Sequence, residues 1–103
     1  MVMSIPEASN GDKSIELAEL TSELVRAARA LLRWEQRHLA KASGVSLPTI
    51  KRLESQRGTL RAHGVTATAI RRALEAAGIE FSNGGQPGVR LTSIAAKQID
   101  RSD

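Results

Sequence analysis

The chain of 103 residues has no cysteine, only two aromatic residues and no long apolar run. The lack of cysteine excludes disulfides and thiolate zinc sites. Because Trp34 and Phe81 are its only aromatic residues, the core must be mainly aliphatic. No stretch of about 18 consecutive residues is apolar, and the N-terminus has no signal-like pattern. We therefore expect one small, cytoplasmic domain that does not enter a membrane.

The chain also lacks the groups of residues that catalysis or metal binding requires. His38 and His63 stand alone, with no second ligand at metal-binding spacing. Neither is at a helical spacing that would activate the hydroxyls of Ser43, Ser46 or Thr49. We expect neither an enzyme nor a bound cofactor or metal ion.

Positive charge is in excess, and it is concentrated in the middle of the chain. The net charge of +4 divides into −4 for residues 1–25, +9 for residues 26–72 and −1 for the remainder. In residues 26–72, eleven Lys and Arg stand against two Glu. Such a distribution is typical of a surface that neutralises phosphate groups. The alternative is an ordinary solvated helix face.

Apolar spacing predicts a helical domain over residues 21–78, preceded by a flexible extension over residues 1–20. Thr21 or Ser22 is a suitable cap for a first helix that ends near Leu32. Acidic residues concentrate before this helix, and basic residues follow. The predicted buried stripe of the helix consists of Leu24, Val25, Ala28, Leu31 and Leu32.

Two short helices with a turn between them are predicted over residues 36–56. Gly44 ends the first because glycine takes the left-handed conformation at little cost. Ser46 caps the second, and Pro48 falls in its first turn, where a missing N–H is tolerated. The seam between the two helices is predicted to contain Ala40, Val45, Ile50 and Leu53.

Beyond a glycine-containing loop, the pattern predicts one more helix and then a hairpin. Thr66 is the predicted cap of a helix over residues 67–77, and Gly78 its stop. Alternating residues on either side of the SNGGQPG turn predict a short β-hairpin within a C-terminal segment over residues 79–103. An isolated hairpin is only marginally stable in water. The predicted hairpin must therefore pack on the helices or pair with another chain, as a dimerisation element.

The predicted third helix, which spans residues 47–56, has an outward side suited to the major groove of DNA. Leu47, Pro48, Lys51 and Arg52 face outward, and Arg52 is the best candidate for a bidentate contact to guanine. Leu47 and Pro48 are candidates for contacts with thymine methyl groups. The candidates for contacts to the DNA backbone are Gln36, Arg37, Thr49, Lys51 and Arg57.

These residues also carry a family resemblance. Residues 26–58 read RAARALLRWEQRHLAKASGVSLPTIKRLESQRG, and residues 70–91 read IRRALEAAGIEFSNGGQPGVRL. The two runs resemble the Cro/repressor-type helix-turn-helix family of bacterial regulators, also called the xenobiotic-response-element family. The resemblance implies an all-α fold of four to five helices with a short C-terminal β-hairpin, a homodimer as the working unit and double-stranded operator DNA as its partner.

The same resemblance implies roles for three residues, and the sequence departs from the family pattern at one further position. Arg29 of the first helix would pair with Glu54 at the end of the third, as a structural pair. Gln36 matches a glutamine that contacts a phosphate. The family usually has Ser or Thr just before this glutamine, whereas Glu35 stands here, a poorer cap whose charge would lie close to DNA.

A sequence-specific transcriptional regulator is the function that these features favour. The alternative is a protein-interaction module, such as an antitoxin whose acidic N-terminal arm or C-terminal tail covers a toxin-like partner. The −4 charge of residues 1–25 favours this alternative. An antitoxin of this kind would also bind DNA, so the two functions overlap.

Overall fold

The computed structural model describes residues 20–82 and 87–93 together with Ala95. These residues contain four helices followed by a two-stranded antiparallel hairpin, in agreement with the small helical architecture expected from the sequence. Residues 1–19 and most of the predicted tail lie outside the described residues. The elements are α1 (Ser22–Leu32), α2 (Gln36–Ser43), α3 (Leu47–Glu54), α4 (Gly64–Ala76), β1 (Ile79–Ser82) and β2 (Gly88–Leu91).

Helix α1 begins at the predicted cap, but its buried stripe is narrower than predicted. Thr21 Oγ1 accepts a hydrogen bond from the Leu24 N–H at 3.0 Å. Val25, Ala28 and Leu32 are buried, whereas Leu31 is 39 % exposed. Leu31 lies about 100° around the helix from Leu32, and the neighbouring elements cover only the Leu32 side. The prediction that Leu31 is buried is therefore wrong.

The turn between α2 and α3 is built as the sequence predicts. Gly44 has a φ of 77° and donates its N–H to the Ala40 carbonyl at 2.9 Å, which ends α2. Ser46 then caps α3, since its Oγ accepts from the Thr49 N–H at 3.3 Å. Helix α3 ends at Glu54, two residues earlier than predicted.

Helix α4 begins three residues earlier than the sequence predicts. Its N-cap is His63, and the Ala67 N–H already donates to the His63 carbonyl at 3.0 Å. Thr66 therefore lies inside the first turn and is not the cap. Leu60 is buried in the core, so the chain must turn within a few residues, and this tertiary constraint outweighs the preference for a threonine cap.

Gly78, which follows α4, is held by two constraints. Its φ of 112° is a conformation that other residues rarely adopt. A Cβ at this position would lie 2.3 Å from the Ala95 Cβ, too close for two carbon atoms. The Gly78 carbonyl also accepts the Thr92 N–H at 2.8 Å, so this residue joins α4 to the chain after β2.

A short antiparallel pairing fastens the start of α1 to the loop after α3. The Leu60 N–H donates to the Leu20 carbonyl, and the Ser22 N–H to the Gly58 carbonyl, both at 2.9 Å. Thr21 and Thr59 form the bridge between them. Leu20 is 1 % exposed. Leu20, the last residue of the predicted flexible extension, is thus part of the core.

The hairpin packs on the helices of its own chain. Ile79 is buried, Phe81, Val89 and Leu91 pack against the core, and β2 lies against α1. Glu80 and Arg90 are partners in the register and form an exposed ion pair at 2.7 Å. Intrachain packing thus accounts for the apolar side of the hairpin. Its predicted pairing with a second chain stays a prediction.

Candidate nucleic-acid interface

Helix α3 has a buried side and an exposed side. Ile50, Leu53 and Glu54 are buried against the domain. Pro48, Lys51 and Arg52, on the other side, are exposed. Leu47 and Thr49 are half-buried at the edges, so the apolar part of the predicted contact face is smaller than the sequence suggested. We define the outer face of α3 as Leu47, Pro48, Lys51 and Arg52.

Thr49 takes part in the cap of α3. Its Oγ1 accepts a hydrogen bond from the Ser46 hydroxyl at 2.9 Å, while the Thr49 N–H donates to Ser46 Oγ. The Thr49 hydroxyl keeps its own hydrogen as a donor. It therefore retains the group that the predicted contact with a phosphate oxygen requires.

Arg29 and Glu54, which the resemblance implies as a pair, form a bidentate ion pair between α1 and α3. Arg29 Nε lies 2.7 Å from Glu54 Oε2, and Arg29 Nη2 lies 2.6 Å from Glu54 Oε1. The third guanidinium nitrogen, Nη1, donates to the Trp34 carbonyl at 2.9 Å. The Glu54 side chain is 3 % exposed and that of Arg29 18 %. This geometry fixes α3 against α1 and the chain before α2.

Gln36 joins the same carboxylate. Its Nε2 donates to Glu54 Oε1 at 3.1 Å, and its side chain is half-buried. The amide thus holds α2 to α3. The family resemblance implies only Arg29 as the partner of Glu54, so this bond was not predicted. The predicted partner of this amide is a phosphate at the start of α2. In the structure one donor of the amide is already used.

Glu35 begins α2 with more support than the sequence indicated. The Glu35 N–H donates to His38 Nδ1 at 2.8 Å. The Glu35 carboxylate accepts from Arg37 Nε at 2.7 Å, and both side chains are about two-thirds exposed. This hydrogen bond, followed by the charge of Arg37, lowers the pKa of Glu35. The same hydrogen bond, followed by the charge of Glu35, raises the pKa of Arg37. Arg37 is thus a weaker candidate for a phosphate contact than predicted, since Glu35 offsets its charge.

Side chains of α1, among them Arg26 and Glu23, hold the end of α3 and the loop that follows it. Arg26 Nη1 donates to the Glu54 carbonyl at the end of α3. Glu23 Oε1 accepts from the Gly58 N–H at 3.0 Å. Hydrogen bonds from the Glu23 and Gly58 N–H groups, followed by the charge of Arg26, lower the pKa of Glu23. Arg57 is exposed on this anchored loop.

A cleft of about 420 Å³ separates α3 from the start of α4. We call it the basic cleft, because Arg52 and Arg61 are both exposed at it and no carboxylate of the described residues lines it. The fold thereby brings Thr49 and Arg52 of α3 together with the following loop. His63 and Thr66 are not among the predicted site residues, because only the tertiary packing brings them to this cleft. The lining residues are Thr49, Arg52, Leu60, Arg61, Ala62, His63 and Thr66.

The described part of the chain is therefore a small helical domain with a basic outer face on one short helix. Within it, no group of three or more His, Cys, Asp or Glu residues is arranged to hold a metal ion. None of the described helices has the length and apolar character needed to cross a membrane. Neither the protein-family models nor the curated proteins compared with the sequence match it.

Proposed function

We propose that the protein is a sequence-specific DNA-binding regulator of transcription, in which α2 and α3 form a helix-turn-helix of the Cro/repressor type. The observation that carries the proposal is the outer face of α3. It exposes Lys51 and Arg52 on a helix whose opposite side is fixed in the domain by Leu53 and Glu54. A helix that enters the major groove needs this combination of a rigid inner side and a polar outer side.

The surrounding charges support DNA as the partner. Arg57 and Arg61 follow α3 on a loop that is hydrogen-bonded to α1, and both are exposed. Together with Lys51 and Arg52 they supply four cationic side chains next to the groove-facing helix. Arg52 is assigned to a base below, so Lys51, Arg57 and Arg61 are the three cationic phosphate contacts. At about −0.9 for each neutralised phosphate, they predict a slope near −2.7 for log affinity against log salt, per protomer.

Within this interface, Arg52 would select the base and its neighbours would position the protein. A guanidinium can donate to guanine O6 and N7 together, which discriminates against other bases by about 1–3 kcal/mol. Thr49 and Lys51 would contact phosphates, and Pro48 with Leu47 would pack against thymine methyl groups. Gln36 is proposed mainly as a residue that positions α2 and α3, because its amide is bonded to Glu54.

Arg52→Ala tests this assignment on a DNA site enriched from a random library. The variant should lose its preference for that site over unrelated DNA. Arg90→Ala is the matched control, because it removes one exposed arginine from the hairpin, which packs on α1. It should keep the preference. An equal loss of affinity for all DNA sequences in Arg52→Ala would instead make Arg52 a phosphate contact.

The working unit is proposed to be a twofold dimer on a palindromic site. Two copies of α3 would then lie about 34 Å apart, one turn of DNA. Sedimentation equilibrium should show a dimer at micromolar concentration, and the enriched site should have two half-sites with that spacing. A monomer in this concentration range would refute an obligate dimer. The antitoxin alternative is favoured by the acidic sequence before α1. Among the described residues, no contact bears on it.

A further inference from the structure

The chain enters the domain directly beside the basic cleft. Backbone hydrogen bonds join Leu20 to Leu60 and Ser22 to Gly58. With the bridge between Thr21 and Thr59, these pairs form one continuous antiparallel register. Leu60 lines the cleft, and Arg61 is the next residue along it. If the register continues by one residue, Glu19 comes opposite Arg61. The described pairing ends at Leu20 and Leu60, so Glu19 and Arg61 are the next residues of the two segments.

The charges of the two parts are complementary. Residues 1–19 carry Glu7, Asp12, Glu16 and Glu19 against Lys13, a net charge of −3. The basic cleft presents Arg52 and Arg61 without a carboxylate among its described lining residues. A carboxylate accepts two parallel hydrogen bonds from a guanidinium, as a phosphate does. The cleft therefore fits these acids by the same paired hydrogen bonds that its two arginines would use for DNA.

We propose that residues 1–19 bind to the basic cleft of their own chain in the absence of DNA, with Glu19 at Arg61, and that DNA must displace them. Attachment at Leu20 gives the acids an effective concentration in the millimolar range, far above the micromolar concentration of a second copy. Even weak, exposed ion pairs are then sufficient for residues 1–19 to occupy the basic cleft in part of the molecules. The competition with DNA rests on the proposed function, whereas the contact within the chain does not.

The contact can be tested without DNA. Because the chain has no cysteine, Ser9→Cys provides a unique site for a nitroxide label in full-length protein. Two sets of substitutions are compared in this labelled protein. The measurement is the paramagnetic broadening of backbone amide NMR signals by the nitroxide. The neutral set is Glu7→Gln, Asp12→Asn, Glu16→Gln and Glu19→Gln. The charge-preserving control set is Glu7→Asp, Asp12→Glu, Glu16→Asp and Glu19→Asp.

In the control set the label should broaden Arg52, Arg61 and His63 more strongly than residues of the hairpin. This excess should disappear in the neutral set, which shows the broadening caused by covalent attachment alone. It should also disappear in about 1 M salt, where the Debye length is about 3 Å. Equal broadening in the two sets would overturn the proposal, and so would broadening centred elsewhere. Broadening of Arg52, Arg61 and His63 that is as strong when the spin label is on a separate copy would place the segment on the other chain and would also overturn it.

DNA affinity then separates the two proposals. At low salt the neutral set should bind DNA about three to ten times more tightly than the control set. A second control removes the same number of acids elsewhere and should give a smaller gain: Glu75→Gln, Glu80→Gln, Asp100→Asn and Asp103→Asn. An equal gain would attribute the effect to net charge and refute displacement of the segment. Salt-sensitive broadening with no DNA binding would retain the intrachain contact and refute the regulator instead.

Discussion

Both sides of α3 carry charged side chains, but these are buried on one side and exposed on the other. On the inner side, the Glu54 carboxylate accepts hydrogen bonds from Arg29 and Gln36 and is almost completely buried. On the outer side, Lys51 and Arg52 are exposed to solvent. Charge on this helix therefore contributes to stability where it is paired and buried, and is available for a partner where it is exposed.

The largest effect is expected on the inner side. Glu54→Ala would leave the mostly buried Arg29 guanidinium without its carboxylate, at a cost of about 3–5 kcal/mol in the free energy of unfolding. Denaturant-induced unfolding measures this loss. The matched control is Glu80→Ala in an exposed pair, which should cost about 0–1 kcal/mol. Similar losses in the two variants would contradict the distinction between the buried and the exposed charges.

Gln36 of α2 contacts the inner side of α3 through Glu54. Its substitution should have an intermediate effect on the free energy of unfolding. Gln36→Ala removes a hydrogen bond to a charged acceptor, which should lower the free energy of unfolding by about 1–2 kcal/mol. Gln36→Glu should be worse, because it places a second carboxylate against Glu54. Unchanged stability with weaker DNA binding would restore the predicted phosphate contact and remove Gln36 from the inner network.

Acid should weaken the anchor of the loop that carries Arg57. Glu23 has a lowered pKa, so its stabilising contribution is complete above about pH 4.5 and is lost as the pH falls through the lower folded value. The unfolding midpoint of Glu23→Gln should therefore depend less on pH than that of the wild type below pH 4.5. Parallel pH profiles would mean that the Glu23 contact with the Gly58 N–H does not stabilise the fold.

The smallest effect on stability is expected on the outer side. Lys51→Ala and Arg52→Ala should each change the free energy of unfolding by no more than about 0.5 kcal/mol. Both should nevertheless weaken DNA binding, Arg52→Ala with loss of sequence preference and Lys51→Ala uniformly on all sequences. A loss of stability in either variant above 1 kcal/mol would show that these side chains belong to the structure.

Local signals were sufficient for the turn between α2 and α3. Gly44, Ser46 and Pro48 each carry a strong backbone preference, and the three preferences agree with one another. The start of α4 was missed because its position depends on the burial of Leu60, which no local pattern encodes. The narrower stripe of α1 has the same cause, since the neighbouring elements decide whether Leu31 is covered.

For the candidate site, the sequence indicated which residues are charged but not which of them are partnered. The bond between Gln36 and Glu54 joins residues of two helices, and the offset of Arg37 by Glu35 depends on side-chain conformations. The basic cleft likewise arises where α3 meets the loop before α4. Residue spacing along one helix predicts an exposed face, whereas pairing between elements requires the fold.

The most direct test of the central claim is the affinity of the wild-type protein for its best DNA site, selected from a random library, relative to a scrambled site over a range of salt concentrations. We expect the selected site to bind at least about 10³-fold more tightly near physiological salt. Both affinities should fall steeply as salt rises, because cationic side chains displace counterions. No enriched site, or a ratio near one at every salt concentration, would contradict sequence recognition by the outer face of α3.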